Sequence, residues 1–510
     1  MQREHHHALY GALNHARSMR LRIASGCLLI AALSGCIDGH DIRPEATAIH
    51  PHDVDAGQAL RTANKTDAWP AQEWWRDWHD PQLDRLIQRA VSGSPSLAIV
   101  RSRVTAAIWQ ARALHADELP NADAGVGLSR TRFARYDTSS PPGGMSTWNN
   151  SATLDLSYDL DLWGKYRATE RGAKDDVSAA MLDVEFATVE LEVAIARTYN
   201  QLALQYALLD VYVAINDEER RNLEIANKRR HAGLGTDVEI EQASAQSDAG
   251  ITDIRRTEND IEIARLQLAY LVGEGPGFGD TLTRPATPDT IQAALPSSDP
   301  GEIVAHRPDI VAQRWRIAAA AESMKAVHAD FYPDVRLVAF ASLASVAPVG
   351  GFFNFVSDDG LGHGIGITGT LPVFDADRRR GHYGVVTAEY DDAVLKYNDM
   401  VYAAMQGVAQ RIASMRSLSV QSESASRAMV SSKKAYQLAD RGYRGGLTEY
   451  LDVLIAQKIM LQQQISVTLI QSSWLDQWVL LMKDLGGGAR IPNASPESSA
   501  EASLGGNDAR

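Results

Sequence analysis

The sequence predicts a mainly α-helical protein with a small β part, built as two tandem structural repeats, and three patterns carry that expectation. The chain overlays itself at a shift of 213 positions (308 − 95), long Pro-free stretches keep a coiled-coil period, and a few short stretches alternate with the two-residue period of strands. Composition narrows the function. A formal charge of −14 with no basic block argues against a nucleic-acid partner, which needs clustered Lys and Arg to displace phosphate counterions. Two cysteines cannot make a disulfide framework or a zinc site. A mean hydropathy of −0.23 excludes a polytopic helical membrane protein.

Residues 1–35 read as a signal peptide. From Met19 the chain runs Met-Arg-Leu-Arg into an apolar stretch from Ile23 to Leu33, a basic region followed by a core too short to span a bilayer stably. Residues 1–18, with His5, His6 and His7, read as an extended leader rather than a metal site. Leu33, Ser34, Gly35 and Cys36 resemble the lipobox of bacterial lipoproteins, which implies cleavage before Cys36 and lipidation of its thiol. Cys27 would leave with the signal. Ile37, rather than Asp, follows Cys36, which points to export to the outer membrane. Residues 36–67 then form a lipidated, extended linker, and no cofactor is expected beyond the covalent lipid.

Repeat 1 covers 68–275 and repeat 2 covers 301–488, joined by a linker at 276–300 and followed by a Gly/Ser/Ala/Glu-rich tail at 489–510 that is expected to be disordered. Pro95, Arg101, Arg103, His115 and Pro120 match Pro308, Arg314, Arg316, His328 and Pro333. Each copy orders a helix, two strands, a very long helix, a Gly turn and a second long helix. From Arg167 to His231 there is no Pro and one Gly, enough for about 95 Å of helix at 1.5 Å per residue. Val177, Met181, Val184, Leu191, Ile195, Thr198, Leu202 and Gln205 fall on one heptad seam, and Val394, Tyr397, Val401, Ala404, Val408 and Met415 repeat it. Gly233 and Gly446 each turn the chain back into a partner helix.

Ala152, Leu154, Leu156, Tyr158, Leu160 and Leu162 alternate with Thr153, Asp155, Ser157, Asp159 and Asp161, giving one apolar and one acidic face. Further strands are read at Ala124, Val126 and Leu128, at Val335 to Leu343, and at Ile365, Ile367, Gly369, Leu371 and Val373. In a transmembrane barrel the apolar face meets lipid and the acidic face a watery lumen. Four strands cannot close a barrel, so chains that enter a bilayer this way must share one, and three chains supply twelve strands.

These features together resemble the TolC-like outer-membrane efflux factors, in their lipidated branch, over roughly Ala68 to Gly488. The local marks are Trp74, Trp75, Trp78, Asp80, Pro81 and Leu83 before the first helix, Asp161 to Lys165 after the second strand, Leu371 to Asp375 after the fourth, and the turns at His231 to Gly235 and Tyr443 to Leu447. The resemblance implies a homotrimer with a long α-helical coiled-coil barrel and a transmembrane β-barrel shared by the three chains. It implies an outer-membrane location extending into the periplasm, a periplasmic adaptor docked at the turns (Gly233, Leu234, Gly446, Leu447), and an inner-membrane pump. It also implies a gate, with Tyr443 fitting the tyrosine before the turn and Asp452 one acidic position. Thr448 stands where TolC has a basic residue and Ile455 where a second aspartate can occur. Arg441, Arg444 and Glu449 lie near enough to substitute.

Chemistry is sparse elsewhere. Gly273, Gly275, Gly277 and Gly279 follow a helix and align with Gly486 to Gly488, so they read as a helix terminator and not a phosphate loop. His115 and His328 read as hydrogen-bonding residues at equivalent helix-to-strand junctions, with no metal site expected. Arg378, Arg379 and Arg380 either meet anionic lipid or form a solvated helix start. No catalytic motif is visible. The function expected is the exit duct of a tripartite efflux pump for drugs or other small molecules, and not an enzyme. The alternatives are the outer-membrane channel of a type I protein-secretion system and, against the presence of two complete copies, a periplasmic adaptor lipoprotein.

Overall fold

The computed structural model describes residues 41–491 except 56, 62–64, 67–68, 137–143, 287, 289–294, 297–301, 303, 305, 348–355 and 357–359. The signal peptide, Cys36 and most of the tail lie outside the described residues. The main elements are α1 (Pro81–Gly93), α2 (Pro95–Ala116), β1 (Asn121–Arg132), β2 (Ser146–Leu160), α3 (Lys165–His231), α4 (Asp237–Val272), α5 (Pro308–His328), β3 (Asp334–Ala347), β4 (Leu361–Thr370), α6 (Arg378–Arg444) and α7 (Tyr450–Asp484). The first residues of α2 and α5, of β1 and β3, of α3 and α6, and of α4 and α7 are each 213 positions apart (308 − 95, 334 − 121, 378 − 165, 450 − 237). The duplicated sequence is therefore a duplicated structure, down to two long helices of 67 residues each.

Two compact units cut across the repeats. One takes Met1–Thr47, Ala106–Val177 and Arg316–Leu395; the other takes Ala48–Thr105, Ser178–Trp315 and Lys396–Arg510. The first unit holds an antiparallel sheet in the order β1-β2-β3-β4, whose central pair joins a strand of each repeat.

The second unit holds the helical core. Trp74, Trp75 and Trp78 lie on a short 3-10 turn and are buried, Trp74 and Trp78 against Trp478, which is 1% exposed, and Trp75 against Trp74. Trp74 and Trp78 meet the Trp478 ring edge-on at 5.6 and 6.5 Å, the geometry that aligns ring edge with ring face. Asp80 caps α1 by accepting the Gln82 N–H at 2.8 Å, and its other oxygen accepts the Tyr199 hydroxyl at 2.5 Å and the Ala286 N–H at 2.9 Å. One carboxylate thus fixes the start of α1, the middle of α3 and the linker after repeat 1, which explains the Asp80-Pro81 mark. The Tyr199 phenol is held above its ordinary range, first by burial and then by Asp80.

Most of the expected seam is buried: Leu191, Ile195, Thr198, Leu202 and Gln205 on α3, and Val394, Tyr397, Val401, Ala404, Val408 and Met415 on α6. Met181 departs from it and is 47% exposed. At that level Ala179 and Leu182 turn inward to pack on Val311 and Ala312 of α5, so a local helix-on-helix contact overrides the heptad register.

Candidate functional site

Two sets of residues carry functional geometry, the sheet of one unit and the helix turns of the other. In the sheet, the pairing register brings the apolar positions of all four strands onto one face. Ala124 pairs with Leu154 and Leu154 with Ala341; Leu156 pairs with Ala339 and Ala339 with Ile365; Tyr158 pairs with Leu337 and Leu337 with Ile367. The opposite face carries Asp123 beside Asp155, Gly125 beside Thr153, and Asp159 ion-paired with Arg336. Ser129 donates to the Asn149 carbonyl at 3.0 Å and the Asn149 amide to Thr131 at 3.1 Å, continuing a polar surface. Phe340 interrupts that face: its ring lies across Gly364, 2.7 Å from where a Cβ would stand. Among the described residues, β1 and β4 each pair along one side only.

The strands end earlier than alternation alone indicates. Leu162 lies past β2, where its N–H bonds back to the Leu160 carbonyl at 2.7 Å and Gly164 takes φ 76°. Trp163 stacks on Tyr332 at 4.7 Å and donates to the Pro333 carbonyl at 2.7 Å, which anchors that turn. Leu371 and Val373 lie past β4, because Pro372 between them has no N–H for the ladder. Arg379 is an internal tie, bonded to Asp375 at 2.6 Å and to the Pro372 carbonyl at 2.8 Å, and Arg380 holds Asp41 at 2.7 Å. Of the three arginines, Arg378 is the exposed one.

At the other site both Gly turns have one design. The Gly233 and Leu234 N–H groups bond to the carbonyls of Arg230 and Arg229, and those of Gly446 and Leu447 to Tyr443 and Gly442. This closes each helix with a residue at positive φ, 72° and 68°, a conformation glycine adopts without strain. Leu234 and Leu447 project from the two turns at 72% and 85% exposure.

What ties each turn differs between the copies. In repeat 1, Arg230 bridges the turn to Asp237 at 2.6 Å. In repeat 2 the equivalent positions are Tyr443 and Tyr450, whose rings pack at 5.1 Å. Tyr450 also donates its hydroxyl to Asn222 of α3, and its phenol is pushed up by burial first and then by Tyr443, Glu218 and Tyr436. Sequence reasoning singled out Tyr443 and missed Tyr450 and Asn222, although the 213-residue shift places Tyr450 opposite Asp237.

The other expected gate residues are separate within one chain. Glu449 and Asp452 form a capping box at the start of α7, with the Asp452 carboxylate accepting the Glu449 N–H at 3.3 Å. Arg444 pairs with Asp440 at 3.1 Å, and Arg441 donates to the Gln437 carbonyl at 3.2 Å. Asp452, Glu449, Arg441 and Arg444 are all exposed.

His115 bonds Glu170 at 2.9 Å, and Glu118 brings a third ligand-type atom within 4.8 Å. Lys174 also pairs with Glu170, at 2.8 Å, and with His115 holds that carboxyl below its usual range. In repeat 2 the same positions are His328, Phe331 and Tyr383, an aromatic cluster with ring separations of 5.6 to 6.0 Å.

A family model described as outer membrane efflux protein matches residues 86–274 and 300–487. The fusaric acid resistance protein FusA of Burkholderia cepacia is 37% identical over 379 residues, 72% of this chain and 71% of that protein. The multidrug resistance outer membrane protein MdtP of Escherichia coli K12 is 28% identical over 472 residues, 89% of this chain and 94% of its own. Among solved structures, the outer membrane protein VceC of Vibrio cholerae superposes with a TM-score of 0.75 at 29% identity, covering 82% of this chain and all of that one.

Proposed function

Because the chain belongs to the outer membrane efflux protein family, we propose that three copies form one exit duct that serves an inner-membrane pump through a periplasmic adaptor. The observation that carries this reading is the sheet. Its apolar face is continuous across four strands while, among the described residues, its two edges carry unpaired backbone, and an open edge is untenable in lipid. Joining β4 of one copy to β1 of the next leaves no edge at twelve strands. The polar face then lines a water-filled lumen.

Helix α7 supports the same assembly. Leu475, Trp478, Val479 and Leu481 are buried in the core of its own chain, while Leu451, Ile455, Ile459 and Leu469 stay exposed. This uncovered apolar face fits packing against the neighbouring helices of a tunnel. Leu234 and Leu447, exposed on hydrogen-bonded turns, fit adaptor docking. Movement through the duct takes its energy from the pump, and selection of cargo rests there as well. Relatives named for fusaric acid resistance and multidrug resistance support small toxic molecules as cargo.

The duct needs a closed state, and the tip residues fit that role. Three-fold symmetry that sets Asp452 of each copy around the axis gathers three carboxylates, which repel one another and focus a negative potential. Tyr450 and Asn222 tie α7 to α3 and hold each tip in place. Deleting the gene is expected to sensitise cells to small amphipathic toxicants, and expressing the wild-type chain to restore tolerance. Tyr450→Phe removes three hydrogen bonds per trimer at about 1 kcal/mol each. Together with Asp452→Ala, it should keep efflux but admit vancomycin. Unchanged sensitivity in the deletion strain contradicts the duct, and vancomycin exclusion by both variants contradicts the gate.

A further inference from the structure

We propose that the outward face of the sheet carries, at its end away from the helices, a binding site for phosphate-bearing lipid headgroups, formed by Arg130, Arg132 and Trp148. The register supplies the argument. Arg130 pairs with Trp148 and Arg132 with Ser146, so both arginines continue the row of Ala122, Ala124, Val126 and Leu128 on the apolar face. The guanidinium of Arg130 lies over the Trp148 ring at 5.7 Å.

Position along the strand fixes what these groups meet. From the Leu160–Val335 pair to the Leu128–Asn150 pair the face runs for about 33 Å at about 3.3 Å per residue. Tilted as barrel strands are, that is about 25 Å along the membrane normal, the height of the apolar band of an outer-membrane barrel. The Arg130–Trp148 pair begins where that band ends. Aromatic rings sit at such a boundary because one end is apolar and the other wet.

Both ends of this sheet could meet headgroups, but the outward face is charged at one end only. Among its described positions, Arg130 and Arg132 are the charged ones, and no other described residue forms an ion pair with either. At the other end of the strands Arg336 lies on the opposite face, paired with Asp159. The helices attach at that end, with α2 leading into β1 and β2 leading into α3; on the duct reading proposed above, on which this inference rests, the arginine end then faces the cell exterior. Two outward guanidiniums beside an indole, at the level of lipid headgroups, match the chemistry of a phosphomonoester. The fork of donors accepts two phosphate oxygens, and the lipid's acyl chains lie along Leu128 and Val126.

Native mass spectrometry of the full-length assembly in detergent tests this, with added diphosphoryl lipid A, the same lipid A stripped of both phosphates, and inorganic phosphate. Wild type should retain the phosphorylated lipid roughly tenfold more than the stripped one. Arg130→Gln with Arg132→Gln should remove that preference, Arg378→Gln should keep it, and millimolar inorganic phosphate should leave bound lipid in place. A wild-type assembly that binds both lipids equally overturns the proposal, and this arm decides even where the double variant assembles poorly. Undiminished preference in an assembled double variant also overturns it, as does displacement by inorganic phosphate, which would mark a simple anion site.

Discussion

Cys36→Ala is expected to abolish lipid attachment completely and to leave the signal uncleaved at that position. The sequence motif implies this, and the contacts made from Asp41 onward make it physically workable. Asp41 is ion-paired to Arg380 at 2.7 Å, and Asp391 accepts the N–H groups of Glu45 and Ala46 at 3.1 and 2.9 Å. Further along, the Ile49 N–H donates to Asn398 at 2.9 Å. These bonds pin the segment along the first turns of α6. Asp41 lies five positions beyond Cys36, a reach of at most about 17 Å. Arg380 itself stands shortly after β4, where the sheet ends. An acyl group on Cys36 can therefore enter a bilayer at that rim without pulling the segment off α6. Metabolic labelling with palmitate reads the outcome: label present on wild type and absent from Cys36→Ala, with assembly retained because the sheet and helix contacts do not involve the lipid. Equal labelling of the variant refutes the anchor.

Trp478→Ala should produce the largest loss of stability from a single side chain. Trp478 is 1% exposed, and it receives the edges of Trp74 and Trp78. Truncation removes the buried indole and both ring contacts, and the neighbouring rings are too large to collapse into the space. Cavity-forming truncations of this kind cost about 3–5 kcal/mol, a large part of the roughly 5–15 kcal/mol that holds a typical domain folded. Thermal unfolding of the detergent-solubilised protein followed by circular dichroism should show a lower midpoint. Trp478→Phe, which keeps an aromatic ring, should fall between the variant and wild type. A midpoint equal to wild type in Trp478→Ala would place the core elsewhere.

Repetition made much of the fold legible in sequence. Gly233 and Gly446 mark turns because no other residue adopts their φ so cheaply, and one shift relates the starts of four pairs of elements. Alternation in β2 gave the correct apolar face because a two-residue period leaves no choice of side. The same period is blind to where pairing stops. Leu162, Leu371 and Val373 keep the rhythm of a strand but lie beyond Leu160 and Thr370, where a bend and Pro372 end the ladder. Met181 fits a heptad and still faces out, since the contact with Val311 and Ala312 is a tertiary fact.

The candidate site was legible at its turns and less so in its bonds. Exposed Leu234 and Leu447 follow from the turn itself. The exchange of an Arg230–Asp237 ion pair for a Tyr443–Tyr450 ring pair required comparing the two repeats position by position. Asp452 bonds to the backbone of its own helix start, which a carboxylate three residues beyond Glu449 could have signalled. The division into compact units was not visible at all, because the long helices run through both units and carry no break in pattern.

The central claim is that this chain is one third of a channel, and the mass of the detergent-extracted particle tests it most directly. Multi-angle light scattering, corrected for bound detergent, should give a single particle of three mature chains, each lighter than the 55.6 kDa of the full sequence by the removed residues 1–35. A monodisperse particle containing one chain would contradict the shared barrel, since four strands with two open edges cannot be sealed in lipid by one copy alone.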